Sequence, residues 1–216
     1  LYLGGLALET FLGIPMMYSI LGLAAFALLY SVYGGLSAVV WTDVIQVAVL
    51  VFGGFATSYV ALNWISGGEG AFAGLGTLLD KVPDHFEMIL SVDNAHYKDL
   101  PGIAVLIGGL WVTNLYYWSF NQYVIQRTFA AKSVKDAQTG LVFAGFLKLI
   151  IPLIVVIPGI AAFYITQYDP ALLQSLQDQF GPMVLNNLPS EQTPDKAYPW
   201  VAQLLPVGIK GVVFAA

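Results

Sequence analysis

Charge is absent from four long stretches of the chain: residues 10–42, 44–68, 100–126 and 149–168. A run of about 18 or more apolar residues without charge is long enough to cross a bilayer as a helix. Taken in order, the pattern predicts the end of one helix over 1–12 and a turn at Gly13-Ile14-Pro15, because proline disfavours helical geometry in the residue before it. A second span follows over 16–33, then a tight break at Gly34-Gly35 and a third span over 36–64, interrupted only by Asp43. The fourth span is expected over 100–127. The fifth is expected over 139–165, with Pro152 and Pro158 inside it as membrane helices tolerate. Residues 201–216 hold Pro206 and Lys210 and then the opening of a sixth span.

The charged residues sit mainly in the connections. Residues 69–99 carry Glu69, Asp80, Asp84, Glu87, Asp93 and Asp99 against Lys81 and Lys98, with a short surface helix expected over 72–82. Residues 168–200 form a second connection, with a helix expected over 170–180. Arg127, Lys132 and Lys135 crowd around the link 128–138, and cations beside a span end mark the cytoplasmic side. The expected topology therefore has exterior loops at 65–99 and 167–200, a cytoplasmic loop at 128–138 and the Gly34-Gly35 turn inside. Composition agrees: 58% of residues are hydrophobic and 10% charged, against about 25% charged in soluble domains. This is the profile of an all-α, multi-pass membrane protein. The net charge of −5 comes from the connections and argues for no nucleic-acid partner. There is no cysteine, so disulfides and thiolate metal sites are excluded. No signal peptide is visible. The 22 glycines suit close helix packing in lipid, and no internal repeat stands out. Both ends fall in apolar stretches, which reads as a fragment of a longer transporter.

The second half of the fourth span carries the candidate chemistry. Asn114, Tyr116, Tyr117, Trp118, Ser119, Asn121, Gln122 and Tyr123 crowd into a few turns. Buried amides and phenols without partners cost roughly 1–3 kcal/mol each. Asn114, Tyr117 and Asn121 follow i, i+3, i+7 and share one helix face, with Trp118 at its edge. An amide beside aromatic rings suits a sugar, whose hydroxyls bond the amide while a ring covers the apolar C–H face. The alternative is inter-helix hydrogen bonding with interfacial aromatics, which Tyr123 fits better than Tyr117. Lys148 lies 13 residues after Lys135 and Asn114 lies 13 before Arg127, about 20 Å into the membrane in each case. A lysine at that depth costs roughly 2.5–3.5 kcal/mol and faces a water-filled cavity or a partner. It can donate to solute hydroxyls, or pair with a carboxylate or carbonyl on another helix. Asp43, eight residues past Gly35 and so about 12 Å in, suits either a cation in transit or a helix–helix hydrogen bond. Arg127 reads as an inner anchor and Glu9 as a residue near the outer surface. His85 and His96 have no second ligand at helical spacing, so no metal site is expected. No histidine pair or Ser-His-Asp set stands at membrane depth, so neither an enzyme nor a cofactor is expected.

Three stretches resemble the sodium–glucose cotransporter family, the sodium:solute symporters, and most of all its bacterial galactose-carrying members. YSVYGGLSAVVWTDVIQ, residues 30–46, resembles the family's glycine pair running into its Thr-Asp helix. NLYYWSFNQYVIQR, 114–127, is similar to its sixth core helix, and FLKLIIPLIVVIPGIAA, 146–162, to the helix that follows. The similarity covers nearly the whole chain and is weakest at 168–193. The resemblance implies a fold of two inverted five-helix repeats with the solute at the midplane. It places here the end of core helix three, core helices four to seven and the entry to core helix eight. It implies that Asn114 and Lys148 contact sugar hydroxyls, that Tyr117, next to Trp118, stacks on the ring as an inner gate, and that Asp43 lies on the sodium exit path. The main sodium ligands, on core helices one and eight, are then expected outside these 216 residues, and no metal ligand within them. The function implied is sodium-coupled symport of a hexose such as galactose or glucose by alternating access, in the cell (inner) membrane. Its partners would be a sugar substrate, the sodium ion as coupling ion and the lipid bilayer, with oligomeric state left open. A sodium symporter of another solute, such as myo-inositol or an amino acid, is the alternative, and a non-transport membrane subunit is a further one.

Overall fold

The computed structural model describes residues 1–94, 97–98, 102–182, 184, 188–190 and 193–215. His96, Asp99 and Leu100 lie outside the described residues. In chain order the main helices are α1 (Tyr2–Leu12), α2 (Met16–Ile65), α3 (Ala71–Lys81), α4 (Gly102–Ser119) and α5 (Gln122–Phe129). They continue with α6 (Val134–Gln167), α7 (Pro170–Phe180), α8 (Ala197–Ala202) and α9 (Val207–Ala215). No strand occurs among the described residues. Among them α2 and α6 are long and apolar enough to cross a membrane, and the bent pair α4–α5 makes a third if it counts as one span. The chain divides into two compact units, 1–81 with 151–216, and 82–150.

In the first unit the punctuation is where glycine and proline put it. Gly13 closes α1 in the left-handed region, at φ 69°, with its N–H on the Glu9 carbonyl at 2.9 Å. At 50 residues α2 would be about 75 Å long if straight, far more than a bilayer core of about 30 Å. The expected break divides it: Gly35 alone leaves helical geometry, at φ 59° and ψ −165°, a backbone that favours glycine. At Gly34 a Cβ would collide with the Ala38 side chain.

The core of this unit gathers around residues 53–62 of α2. Ala61 and Leu62 are buried there with Leu78 of α3, Ile154, Ala161 and Ile165 of α6, and Leu176 of α7. Gly74 lets α3 lie directly on α2, since a Cβ there would strike the Leu62 carbonyl. The expected surface helices over 72–82 and 170–180 are α3 and α7, but they are not wholly surface elements. Nor is 167–200 simply a loop. Trp200 on α8 is fully buried, its indole N–H donating to the Val184 carbonyl at 2.8 Å, and Val201, Leu204 and Leu205 are buried beside it in sequence. By contrast, the apolar side chains of Phe26, Val32, Tyr33, Trp41 and Phe52 are exposed, surface that belongs against lipid or protein.

One wide turn interrupts α6. Over Pro152–Val156 the helix takes π geometry, and the Ile157 N–H reaches back to the Pro152 carbonyl. Five residues beyond Leu153 stands Pro158, which has no N–H to give. The Leu153 carbonyl therefore loses its donor within the helix. The Ser58 hydroxyl of α2 stands 2.7 Å from it and 2.9 Å from the Gly54 carbonyl of its own helix, and its one proton on the shorter contact serves Leu153. Gly54 makes the approach feasible, because a Cβ there would come 2.6 Å from Ile154 Cβ.

Candidate functional site

In the second unit, α4 and the first part of α6 bring three of the candidate residues together. The Lys148 ammonium sits 3.7 Å from the centroid of the Tyr117 ring and 5.0 Å from that of Trp118. The two rings meet edge to face, with centroids 5.4 Å apart and planes at 83°. Both aromatics lie in the last turn of α4, where a helix presents carbonyl ends and about half a negative charge. The lysine thus has two ring faces beside it, both of which favour a cation. Lys148 touches Tyr117, one turn from Asn114, the residue whose depth it was expected to share.

Asn114 stands one turn before this pair. Its Nδ2 donates to the Leu110 carbonyl of its own helix at 2.8 Å, which leaves the amide oxygen to accept from another donor. Asn121 departs from the expected face. The fourth span is not one helix to Arg127: α4 ends at Ser119, and α5 begins at Gln122 with a bend of 41° between them. The Tyr116 carbonyl takes the N–H groups of both Phe120 and Asn121, at 2.9 Å each. Asn121 then has extended geometry, and its Oδ1 accepts from the Tyr123 N–H at 2.9 Å as the N-cap of α5. An asparagine that can bond the backbone two residues on competes with the helix, and here it wins. The i, i+3, i+7 face therefore stops at Tyr117 and Trp118. The 20 Å estimate for Asn114 also assumed an unbroken helix to Arg127.

The link after α5 is shorter than 128–138, because α6 already starts at Val134. Ser133 caps it: the Asp136 N–H donates to Ser133 Oγ at 3.1 Å and the hydroxyl donates to Asp136 Oδ2 at 2.7 Å. Arg127 lays its guanidinium 3.5 Å from the Tyr123 ring centroid and donates to the Tyr123 carbonyl at 3.0 Å, an arrangement that fits an anchor. Asp43 belongs to the first unit, half-buried on the 36–65 part of α2, next to Thr42, whose hydroxyl bonds the Val39 carbonyl at 2.8 Å. His85 lies in a short 3-10 turn over Pro83–Phe86. Sequence reasoning passed over Ser58 and Gln203. The latter is buried, donates through Nε2 to the Thr10 carbonyl at 3.2 Å, and its backbone carbonyl accepts from Lys210 Nζ at 3.0 Å. Neither residue stands out by spacing or charge.

Apolar helices long enough to span a bilayer define a class: helical membrane proteins. The comparison with known proteins narrows it. The model of the sodium:solute symporter family matches residues 1–216, and the chain belongs to that family. It is 68% identical to the sodium/glucose cotransporter of Vibrio parahaemolyticus over 216 residues, all of this chain and 39% of that protein. It is 29% identical over 232 residues to the human sodium/myo-inositol cotransporter 2, covering all of this chain and 32% of that protein. It is 33% identical over 200 residues to the uncharacterized symporter YidK of Escherichia coli (strain K12), 87% of this chain and 33% of that protein. The chain thus spans about two fifths of the length of its Vibrio relative.

Proposed function

We propose that the full-length protein is a sodium-coupled symporter of a hexose such as galactose or glucose, working by alternating access in the cell inner membrane. The observation that carries this reading is the Lys148 ammonium against the Tyr117 and Trp118 rings, with Asn114 one turn away. It stands in a chain 68% identical to a sodium/glucose cotransporter. On this reading Asn114 and Lys148 bond sugar hydroxyls, Tyr117 and Trp118 offer the apolar face, and Asp43 lies on the path of the sodium ion. Sodium is the coupling ion and no covalent chemistry occurs: sodium entering down its gradient biases the carrier because the two solutes bind the same conformation better. Residues 65–99 and 167–200 face outside and 128–138 faces the cytoplasm. A second reading, symport of a cyclic polyol such as myo-inositol, is favoured by the likeness to the human myo-inositol cotransporter. Uptake of radiolabelled galactose, glucose and myo-inositol into proteoliposomes holding the full-length protein, with and without an inward sodium gradient, tests both. Gradient-dependent hexose uptake is the expected result. Myo-inositol uptake alone would select the second reading, and uptake indifferent to sodium would overturn both.

A further inference from the structure

The ring that a sugar would stack on is already covered. The Lys148 ammonium lies 3.7 Å from the Tyr117 centroid, which is the layer that the C–H groups of a stacked sugar would occupy, at about 3.5–4.0 Å. For Lys148 to donate to the hydroxyls of a sugar on Tyr117, sugar and ammonium must be on the same side of the ring. They cannot then both lie over it.

We propose that Lys148 caps the Tyr117 ring while no solute is bound and yields that face when a sugar enters, so that one aromatic surface serves two partners in turn. The proposal rests on the sugar reading above. Trp118 gives the displaced ammonium somewhere to stay. Its ring stands nearly perpendicular to Tyr117 and 5.0 Å from the nitrogen, so a small swing of the four-carbon lysine stem exchanges one ring for the other. The exchange is also selective. A solute wins the ring only if it brings both an apolar face to replace the cation and oxygen acceptors to receive it. An apolar molecule offers no acceptor, and a cationic one meets like charge.

The test uses the full-length protein labelled with ε-13C-lysine, in nanodiscs with saturating sodium. Its Lys148 signal is assigned by its loss in Lys148→Arg. A methylene held over a ring face is shifted upfield by the ring current. Without sugar, the Lys148 signal is expected upfield of the other lysines, and both Tyr117→Leu and Trp118→Leu should move it back, the first by more. Saturating galactose should bring the wild-type signal back downfield. Binding of labelled galactose is measured on the same sample. If galactose binds and the Lys148 signal stays upfield, the exchange is refuted while the sugar site stands. A sugar-free signal among those of the other lysines refutes it as well. If neither galactose nor glucose binds, the reading of the site as a sugar site fails and the exchange with it.

Discussion

Replacing Ser58 by alanine removes a single hydroxyl, and its effect can be worked out from the turn it serves. The Leu153 carbonyl has no donor within α6, because Ile157 bonds Pro152 instead and residue 158 is a proline. Ser58 supplies the donor at 2.7 Å, and its neighbour Ile154 is only 1% exposed, so water does not easily take its place. A buried carbonyl left without a partner costs about 1–3 kcal/mol, while side-chain hydrogen bonds in membrane proteins average about 0.6 and reach about 1.7. Ser58→Ala is therefore expected to cost about 1–2 kcal/mol. The cause is checked by a second substitution. Pro158→Ala restores an N–H five residues beyond Leu153, in the register the wide turn already uses. In that background Ser58→Ala should cost less, with a coupling energy of about 1 kcal/mol in the double-mutant cycle. Reversible unfolding of the full-length protein in mixed micelles, followed by tryptophan fluorescence, gives the four stabilities. Costs for Ser58→Ala that are the same with and without Pro158 would refute the argument, because the hydroxyl would then not be serving the carbonyl that the proline leaves open.

Three further outcomes are expected. Asp43→Asn should weaken the sodium dependence of uptake more than sugar affinity, and unchanged sodium activation would make Asp43 a structural residue. Cysteine at Asp93 should react with an impermeant reagent in intact cells and cysteine at Lys132 should not; the reverse would invert the topology. Losing one hydrogen bond costs about 0.5–1.5 kcal/mol when neutral and 1.5–3 when charged. With 1.4 kcal/mol per factor of ten, Asn114→Ala should weaken galactose binding several-fold and Lys148→Ala about 10- to 100-fold. Tyr117→Phe should be mild and Tyr117→Ala severe, and wild-type affinity in both Asn114→Ala and Lys148→Ala would rule out the site.

Much of the helical framework was legible because charge, glycine and proline punctuate it. The helix expected over 170–180 is α7, that over 72–82 is α3 shifted by one residue, and the break expected at Gly34-Gly35 sits at Gly35. What escaped was decided by local bonds that compete with periodicity. Asn121 keeps the helical spacing of Asn114 and Tyr117, so its period pointed to one continuous face; only its bond to the Tyr123 N–H reveals a cap. Ser133 and Asp136 hold the spacing of a capping box, and reading it would have started α6 where it starts. Trp200 closes the connection expected over 168–200, although an indole needs a burial site and an acceptor, and the Val184 carbonyl provides the latter. Ser58 had no signal of its own, since its partner was made by a proline on a distant helix.

On the proposed reading, in which Lys148 stands in mid-membrane, the two aromatic rings bear directly on how the lysine can serve there. An aromatic face favours a nearby cation by about 0.5–2 kcal/mol, and two such faces stand beside this one. Together the two rings offset part of the roughly 2.5–3.5 kcal/mol that a lysine costs in mid-membrane. A carboxylate partner would hold the ammonium more firmly, but breaking a buried ion pair costs about 3–5 kcal/mol. The hydrogen bond a sugar hydroxyl can offer the ammonium is worth only about 1.5–3, so a sugar could not pull the lysine from a carboxylate. It can pull it from a ring. On the proposed reading, holding the charge by neutral groups keeps the empty and loaded arrangements close in free energy. A site that must release its solute on the other side of the membrane at each turn needs that balance.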